Sequence, residues 1–257
     1  MAEAKTHPIQ IEMPAEGERQ LSFAVGACVF RLARGEQDAW VEGTYTDPTG
    51  VIPPHVDVSG GDARISMRAD FDRIPSLRQP PAFDLRLGTS APYRLTIEGG
   101  AMDVRCELGG LPLTRFEARL GAGQLRFAFD APNTEPMDRL KVSAGAADLD
   151  LRGLANANAS ELAVDGGAAA FHLDFGGALS RDATARVTTG VAGVDITVPG
   201  TTAARIRVKS TLGQVDAVDD YMRQDRDYLT PAAASGQTPV LTIEANVTLG
   251  RLELRTS

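Results

Sequence analysis

The sequence contains a short repeated pattern, and at one position of that pattern seven of the repeats carry an ionisable residue. Ionisable side chains can bind cations or transfer protons. The seven residues are Arg105, Arg126, Asp150, His172, Asp195, Asp216 and Glu253. On stacked strands ~4.8 Å apart, Asp150, His172 and Asp195 would lie close enough to couple electrostatically or to hold a cation. Paired carboxylates or a bound Ca²⁺ on an exposed sheet are what carbohydrate-active enzymes built on β-helices require.

The same spacing fits a solvated ladder in which His172 relieves repulsion between its acidic neighbours. Aromatic residues make up only 5% of the chain, so few side chains could stack against a sugar ring. The sequence therefore favours the solvated ladder, and it assigns no catalytic, cofactor-binding or metal-binding residue.

Short strands in a repeat of 21 to 24 residues would position this ladder. Each repeat has apolar residues at relative positions 0, 2, 9 and 11, and the repeats start at Leu95, Phe116, Leu140, Leu162, Ala185 and Ile206. Apolar residues two apart point to one side of a strand, so each repeat is predicted to be two short strands around a tight corner. A fixed period of this length indicates stacked repeats.

Stacking would align the apolar residues of successive repeats in columns. One predicted column contains Leu125, Leu149, Phe171, Val194 and Val215, and the next contains Phe127, Leu151, Leu173, Ile196 and Ala217. Glycine recurs at the corner as Gly121, Gly145, Gly167 and Gly190. Positive φ or a close approach between neighbouring coils favours glycine at such a place.

The predicted fold class is all-β: a single-domain, right-handed parallel β-helix (solenoid) of ~22-residue coils with an irregular N-terminal β region. Residues 1–82 form that N-terminal subregion, continuous with a regular solenoid at 83–257 that contains a loop at 219–239. An antiparallel meander is the competing topology, because two strands joined by a corner can also form a hairpin.

The pattern also occurs outside the regular stack. It predicts an early coil at 21–32, a further coil at 56–67 and a last coil at 243–254, with a proline-rich interruption at 70–82. The last strand is expected to be an exposed edge, which Glu253 and Arg255 would protect from further pairing.

Composition limits the function classes. The chain of 257 residues has a net charge of −8 and a pI near 5.0, which argues against a nucleic-acid partner. Cys28 and Cys106 occupy alternating apolar positions in strand-like runs and are predicted to be core residues, because two cysteines form neither a disulfide framework nor a zinc site. No cofactor and no small-molecule substrate are indicated.

The sequence shows no apolar run of ~18 residues and no signal-peptide pattern at its start. The expected location is therefore the cytoplasm, with attachment to the membrane through a partner as the alternative.

Three segments carry a family resemblance: RFEARLGAGQLRFAF, RLKVSAGAADLDLRGL and ARIRVKSTLGQVDA. The run from Leu95 to Leu254 resembles the C-terminal domain of LiaF-like bacterial cell-envelope stress proteins and related adhesin-type toast-rack domains. The segment RQLSFAVGACVFRLARGEQDAWVEGTYTD is similar to the N-terminal part of the same group. The resemblance implies a non-enzymatic, protein-binding or sensory β-solenoid.

The leading hypothesis is thus a regulatory protein linked to the bacterial cell-envelope stress response, whose partner is a membrane sensor or another envelope protein. The alternative is a self-assembling scaffold of the bactofilin kind, which would associate through its coil ends. A carbohydrate-active enzyme is the third hypothesis, and the sequence favours a protein that is not an enzyme.

Overall fold

The fold was examined in a computed structural model that describes residues 4–36, 39–67, 79–218 and 220–257. The described residues contain sixteen strands, all joined in one sheet, so the predicted all-β class is confirmed. The strands are β1 Lys5–Glu12, β2 Gln20–Val25, β3 Cys28–Arg34, β4 Ala39–Asp47, β5 Pro54–Ser59, β6 Asp62–Met67, β7 Ala82–Leu87, β8 Tyr93–Glu107, β9 Leu113–Ala128, β10 Met137–Arg152, β11 Ala159–Asp174, β12 Ala183–Val198, β13 Ala204–Ala217, β14 Met222–Gln224, β15 Asp227–Leu229 and β16 Leu241–Thr256. A 3-10 turn at Leu154–Ala157 and a short helix, α1, at Pro231–Ala234 complete the described elements.

Each regular repeat is one long bent strand. In β10 the buried positions are even-numbered from Leu140 to Ala144 and odd-numbered from Ala147 to Leu151, with exposed Gly145 and Ala146 between them. This switch turns the apolar sides of the two halves toward the same core. In β9 the rings of Phe116 and Phe127, one from each half, lie 5.3 Å apart. The predicted pair of short strands is therefore a continuous strand with a bend at the predicted corner.

The long strands pair in parallel and in register, which excludes the antiparallel meander for this part of the chain. Leu149 lies opposite Leu125 on one side and Phe171 on the other, as the column prediction requires. Phe171 in turn lies opposite Val194. Burying each such aliphatic or aromatic side chain contributes roughly 1.5–3 kcal/mol, so these columns supply most of the stability of the stack.

The strands predicted at 21–32 are present and pair in parallel with the regular stack. Strand β2 pairs with the first half of β8 and β3 pairs with its second half, so that Leu21 lies opposite Leu95 and Phe30 opposite Val104. On their other side, β2 and β3 pair with β6 and β7. Strands β2 and β3, although early in the chain, therefore lie inside the sheet, between β8 on one side and the pair β6 and β7 on the other.

The predicted coil at 56–67 is wrong. Strands β5 and β6 form an antiparallel hairpin in which Val56 pairs with Ile65, because the tight turn at Gly60 and Gly61 reverses the chain. The proline-rich interruption predicted at 70–82 lies outside the described residues as far as residue 78. Strands β4 and β1 extend the sheet beyond β7, both by antiparallel pairing.

The C-terminal end also departs from chain order. Strand β16 inserts between β12 and β13 and pairs in parallel with both, so the predicted exposed edge at 243–254 is wrong. The edge is β13, and Leu252 occupies the core column between Val194 and Val215. The predicted loop at 219–239 contains, in its described part, the antiparallel hairpin β14–β15 and helix α1.

Among the described residues, no helix has the length and apolar character needed to cross a membrane. The right-handed parallel β-helix (solenoid) and the division at residue 82 stay predictions.

Candidate functional site

The outward ladder predicted from the sequence lies on the second halves of the long strands. Arg105 pairs in register with Arg126, Arg126 with Asp150, Asp150 with His172, and His172 with Asp195. Glu253 separates Asp195 from Asp216, because β16 lies between their strands. The ladder thus has a basic part toward the N-terminal end of the stack and an acidic part toward the C-terminal end.

His172 is bound to one of its two acidic neighbours. Its Nδ1 lies 3.0 Å from Oδ2 of Asp195. Asp150 does not bind His172. It accepts hydrogen bonds from Arg152, which donates to both of its carboxylate oxygens at 3.0 and 2.7 Å. This bond to Asp150 raises the pKa of the Arg152 guanidinium above its usual value. The two aspartates therefore do not form a free carboxylate pair around His172.

The acidic end of the ladder is neutralised in the same way. Arg251 lies 3.0 Å from Asp216, and Arg255 lies 2.7 Å from Glu253. These pairs are exposed on the arginine side, and exposed ion pairs contribute about 0–1 kcal/mol each. In the described ranges no group of three or more His, Cys, Asp or Glu side chains could hold a metal ion.

The two cysteines are core residues, as predicted. Cys28 is 2% exposed and Cys106 is 1% exposed, and neither forms a disulfide. Burial raises the pKa of the Cys28 thiol to about 12 and raises that of Cys106 as well. Thiols held in this protonated form are poor nucleophiles and poor metal ligands.

A second candidate surface is the edge strand β13, which the sequence did not identify. Strand β16 pairs with it from Ala204 to Ala217, whereas β15 covers its other side only at residues 205–207. Within the described residues, no strand pairs with that side of 208–217. The backbone N–H and C=O groups directed outward there are available for pairing with another chain.

The β14–β15 hairpin is fixed to β13 by a buried carboxylate. Arg207 donates to both carboxylate oxygens of Asp227 at 2.7 and 3.0 Å, and Arg205 lies 3.6 Å away. The bond to Arg207 holds the pKa of Asp227 below its usual range. The hairpin therefore closes the start of the edge and leaves the rest of β13 open.

Exposed apolar side chains lie on β13 and on the next two strands of the sheet, β16 and β12. Leu212 is 71% exposed at the bend of β13, and its register neighbour Leu249 on β16 is 43% exposed. Val191 lies opposite Leu249 on the next strand and is 55% exposed. Val208 and Val215 are only partly buried, because they are the last members of their core columns. An added strand would cover the backbone groups of the edge and would lie next to Leu212, Val208 and Val215 on β13.

The N-terminal end of the sheet is protected differently. Strand β5 covers the first half of the outermost coil, and β4 with β1 covers the second half. Pro8 lies within β1 and Pro54 begins β5. Proline cannot donate a backbone hydrogen bond, and it is a common device against further pairing at a sheet edge.

Comparison with known proteins gives one family. The model described as the N-terminal domain of toast_rack, DUF2154, matches residues 2–135. The match ends in the connection between β9 and β10. No curated protein matches the chain.

Three crystal structures are similar in fold over nearly the whole chain. A candidate cell adhesion protein from Clostridium sporogenes has 11% identity and a TM-score of 0.52, with 99% of this chain and 100% of that chain covered. A candidate adhesin from Bacteroides fragilis has 9% identity and a TM-score of 0.35, covering 98% and 97%. A candidate lipid-binding protein from Parabacteroides distasonis has 12% identity and a TM-score of 0.34, covering 97% and 96%.

Proposed function

The chain belongs to the toast-rack family, and from that premise we propose that it is a non-enzymatic binding protein that regulates a partner at the bacterial cell envelope. The open edge of β13 carries this proposal. Residues 208–217 pair with β16 on one side and with no described strand on the other, and exposed aliphatic side chains lie beside them. Such an edge is suited to β-strand addition, in which main-chain hydrogen bonds give affinity and side-chain contacts give specificity.

The proposed partner is a protein that presents an extended segment with alternating apolar residues. Such a segment would pair with residues 208–217 and would bury Val208, Val215 and Leu212. A membrane sensor or another envelope protein fits the stress-response role that the resemblance implies. In this proposal the chain lies in the cytoplasm and reaches the membrane through that partner.

Self-assembly by stacking of the two ends is less well supported. A right-handed solenoid of stacked coils would join end to end only if its ends were complementary. The N-terminal end is covered by β5, β4 and β1, with prolines in two of these strands, while the second half of β13 is open. The two ends therefore differ in strand direction and in protection.

A carbohydrate-active enzyme is also less well supported. Asp150 and Asp195 are each bound by a different cationic or titratable neighbour, Arg152 and His172. A glycosidase needs two carboxyl groups that face one bond of the substrate. The geometry of the ladder therefore supports a solvated surface better than a catalytic pair.

The test is site-specific photo-cross-linking in the source cell. A photoreactive residue replaces Leu212 at the open edge, and the matched control replaces Val58, an exposed valine of strand β5 at the opposite end. We expect a discrete adduct with an envelope protein from position 212 and none from position 58. The cross-linked peptide identifies the segment that adds to β13.

Two outcomes would reject the proposal. Absence of any adduct at position 212 would show that the edge is not used in the cell. Adducts consisting only of the chain with itself would replace the regulatory partner with a self-assembling scaffold.

A further inference from the structure

A third surface, which contains several arginines, lies on the first halves of the strands near the N-terminal end. It is a cleft of about 290 Å³ whose lining comes from the four neighbouring strands β6, β2, β8 and β9. We call it the arginine cleft, because its lining includes Arg64, Arg94, Arg115 and Arg119. It lies on a different face and at the opposite end of the stack from the open edge of β13.

The order of the strands creates the cleft. Ser22 on β2 lies in register with Arg64 on one side and with Thr96 on the other. Because neighbouring strands are ~4.8 Å apart, Arg64 and Thr96 are separated by about 10 Å with only the small side chain of Ser22 between them. In the next register row, Gln20 lies opposite Arg94, and Arg94 opposite Arg115. Thr96 in turn lies opposite Glu117, and Gln20 lies opposite Asp62 on its other side. The hydroxyl groups of Ser22 and Thr96 thus lie between Arg64 and Glu117, with Arg94 beside them in the next row.

The cleft is positive in a chain that is acidic overall. Its lining contains four arginines and two glutamates, Glu98 and Glu117, in a chain of net charge −8. Arg119 binds both glutamates, with distances of 2.7 Å to Glu98 and 2.8 Å to Glu117. Both acidic groups of the lining are therefore already engaged by one arginine.

The remaining arginines are weakly paired. Arg115 lies 3.8 Å from the same Glu117. The two terminal nitrogens of Arg94 lie 3.3 Å from the two carboxylate oxygens of Glu18, whose side chain is 81% exposed. Arg64 takes part in no ion pair among the described residues, although Asp57 is its register partner on β5. Like charges on neighbouring strands are unfavourable without a counter-charge, and among the described residues Arg64 is the arginine of the lining that lacks one.

We propose that the arginine cleft binds a phosphate-type oxyanion between Arg64 and Arg94, over the hydroxyl groups of Ser22 and Thr96. Guanidinium groups match the oxygens of a phosphate with pairs of parallel N–H donors, and hydroxyl groups supply further donors. Ser22 makes only a long bond, 3.4 Å, to the carbonyl of Ala63, so its hydroxyl can turn toward a ligand. The phosphate belongs either to a soluble ion or to a lipid headgroup.

The experiment is calorimetric titration of the full chain with inorganic phosphate at low ionic strength. Arg64→Ala is the test variant. Arg186→Ala is the matched control, because Arg186 occupies the same position in the repeat on β12, is 61% exposed and lies far from the cleft. We expect phosphate to bind the parent, Arg64→Ala to weaken binding about tenfold or more, and Arg186→Ala to bind as the parent does.

A second variant keeps the test valid if Arg64→Ala fails to fold. Thr96→Val removes one hydroxyl from the cleft while keeping the size of the side chain, and we expect it to weaken binding several-fold. Failure of the parent to bind phosphate, or parental affinity in both variants, would overturn the proposal.

Vesicles distinguish the two sources of phosphate. Vesicles of phosphatidylglycerol and of phosphatidylcholine are compared in a sedimentation assay with the parent and Arg64→Ala. Sedimentation of the parent with phosphatidylglycerol alone, reduced by free phosphate and by Arg64→Ala, assigns the site to an anionic headgroup. Phosphate binding without sedimentation supports the site and assigns it to a soluble ion.

Discussion

At the scale of single residues, glycine at the bend is required by the neighbouring backbone. A Cβ atom on Gly145 would lie 2.5 Å from the carbonyl oxygen of Gly121, and one on Gly167 would lie 2.7 Å from that of Gly145. These glycines do not have positive φ angles. Of the two reasons that the sequence suggested, the close approach of neighbouring coils is the one that applies.

We predict that Gly145→Ala lowers the free energy of unfolding by about 1–3 kcal/mol, because the added methyl group forces two backbones apart. Gly193→Ala is the control: no atom lies within 4 Å of its added Cβ, and its φ is not positive. There we expect no loss, or a gain of about 0.4–1 kcal/mol from the stiffer unfolded chain. Denaturant unfolding of both variants measures the difference, and equal stabilities would contradict the steric argument.

The alignment of single residues in the outward ladder was predicted correctly from the sequence. Asp150, His172 and Asp195 do lie in register on adjacent strands. Their bonding partners could not be predicted, because the rotamer of Arg152 selects Asp150 and leaves His172 to Asp195. Side-chain choices of this kind depend on local packing and not on the repeat.

At the scale of the strands, the pattern of apolar residues determined which side of each element is buried. It could not determine the order of the strands in the sheet. Ile243 and Ile206 are equally suitable neighbours for Ala185, since all three are apolar and occupy the same position of the repeat. The choice depends on the connection through β14, β15 and α1, which the sequence analysis interpreted as a loop.

This order can be tested by native-state hydrogen exchange. We expect the amides of β16 to exchange at least about tenfold more slowly than those of residues 208–217 in β13, because β16 has a pairing strand on both sides. The second half of β12 is the internal standard for a central strand. Faster exchange in β16 than in β13 would restore the order expected from the chain.

At the scale of the whole molecule, one continuous apolar core extends from β1 to β16. Cys28 and Cys106 lie within it on the neighbouring strands β3 and β8. Their thiols are protonated at neutral pH, since burial raises both pKa values. Access to either thiol therefore requires that the stack open.

We predict that neither cysteine reacts with a thiol reagent at pH 8 on the timescale of minutes, whereas both react at once in denaturant. Labelling in intermediate denaturant should follow the unfolding transition measured by circular dichroism. Separate Cys28→Ser and Cys106→Ser variants assign the two signals by mass spectrometry. Rapid labelling of either thiol in native buffer would show that the core opens locally.

The arginine cleft shows the limit of sequence analysis for the molecule as a whole. Arg94 directly precedes Leu95, and Arg115 directly precedes Phe116, the first residues of two successive repeats. Their alignment is therefore visible in the sequence. Arg64 could not be placed beside Ser22, because the pattern assigned it to a separate coil and the structure assigns it to the hairpin next to β2.

The insertion of β16 between β12 and β13 has a consequence for biosynthesis. The ribosome completes β13 at Ala217 before it reaches Leu241, where β16 begins, so until then β12 has only β13 available as the next strand. A pair of β12 with β13 would align the same apolar columns, and it must separate before β16 can enter. The nascent chain therefore has to rearrange when β16 is made, which a stack in strict chain order would not require.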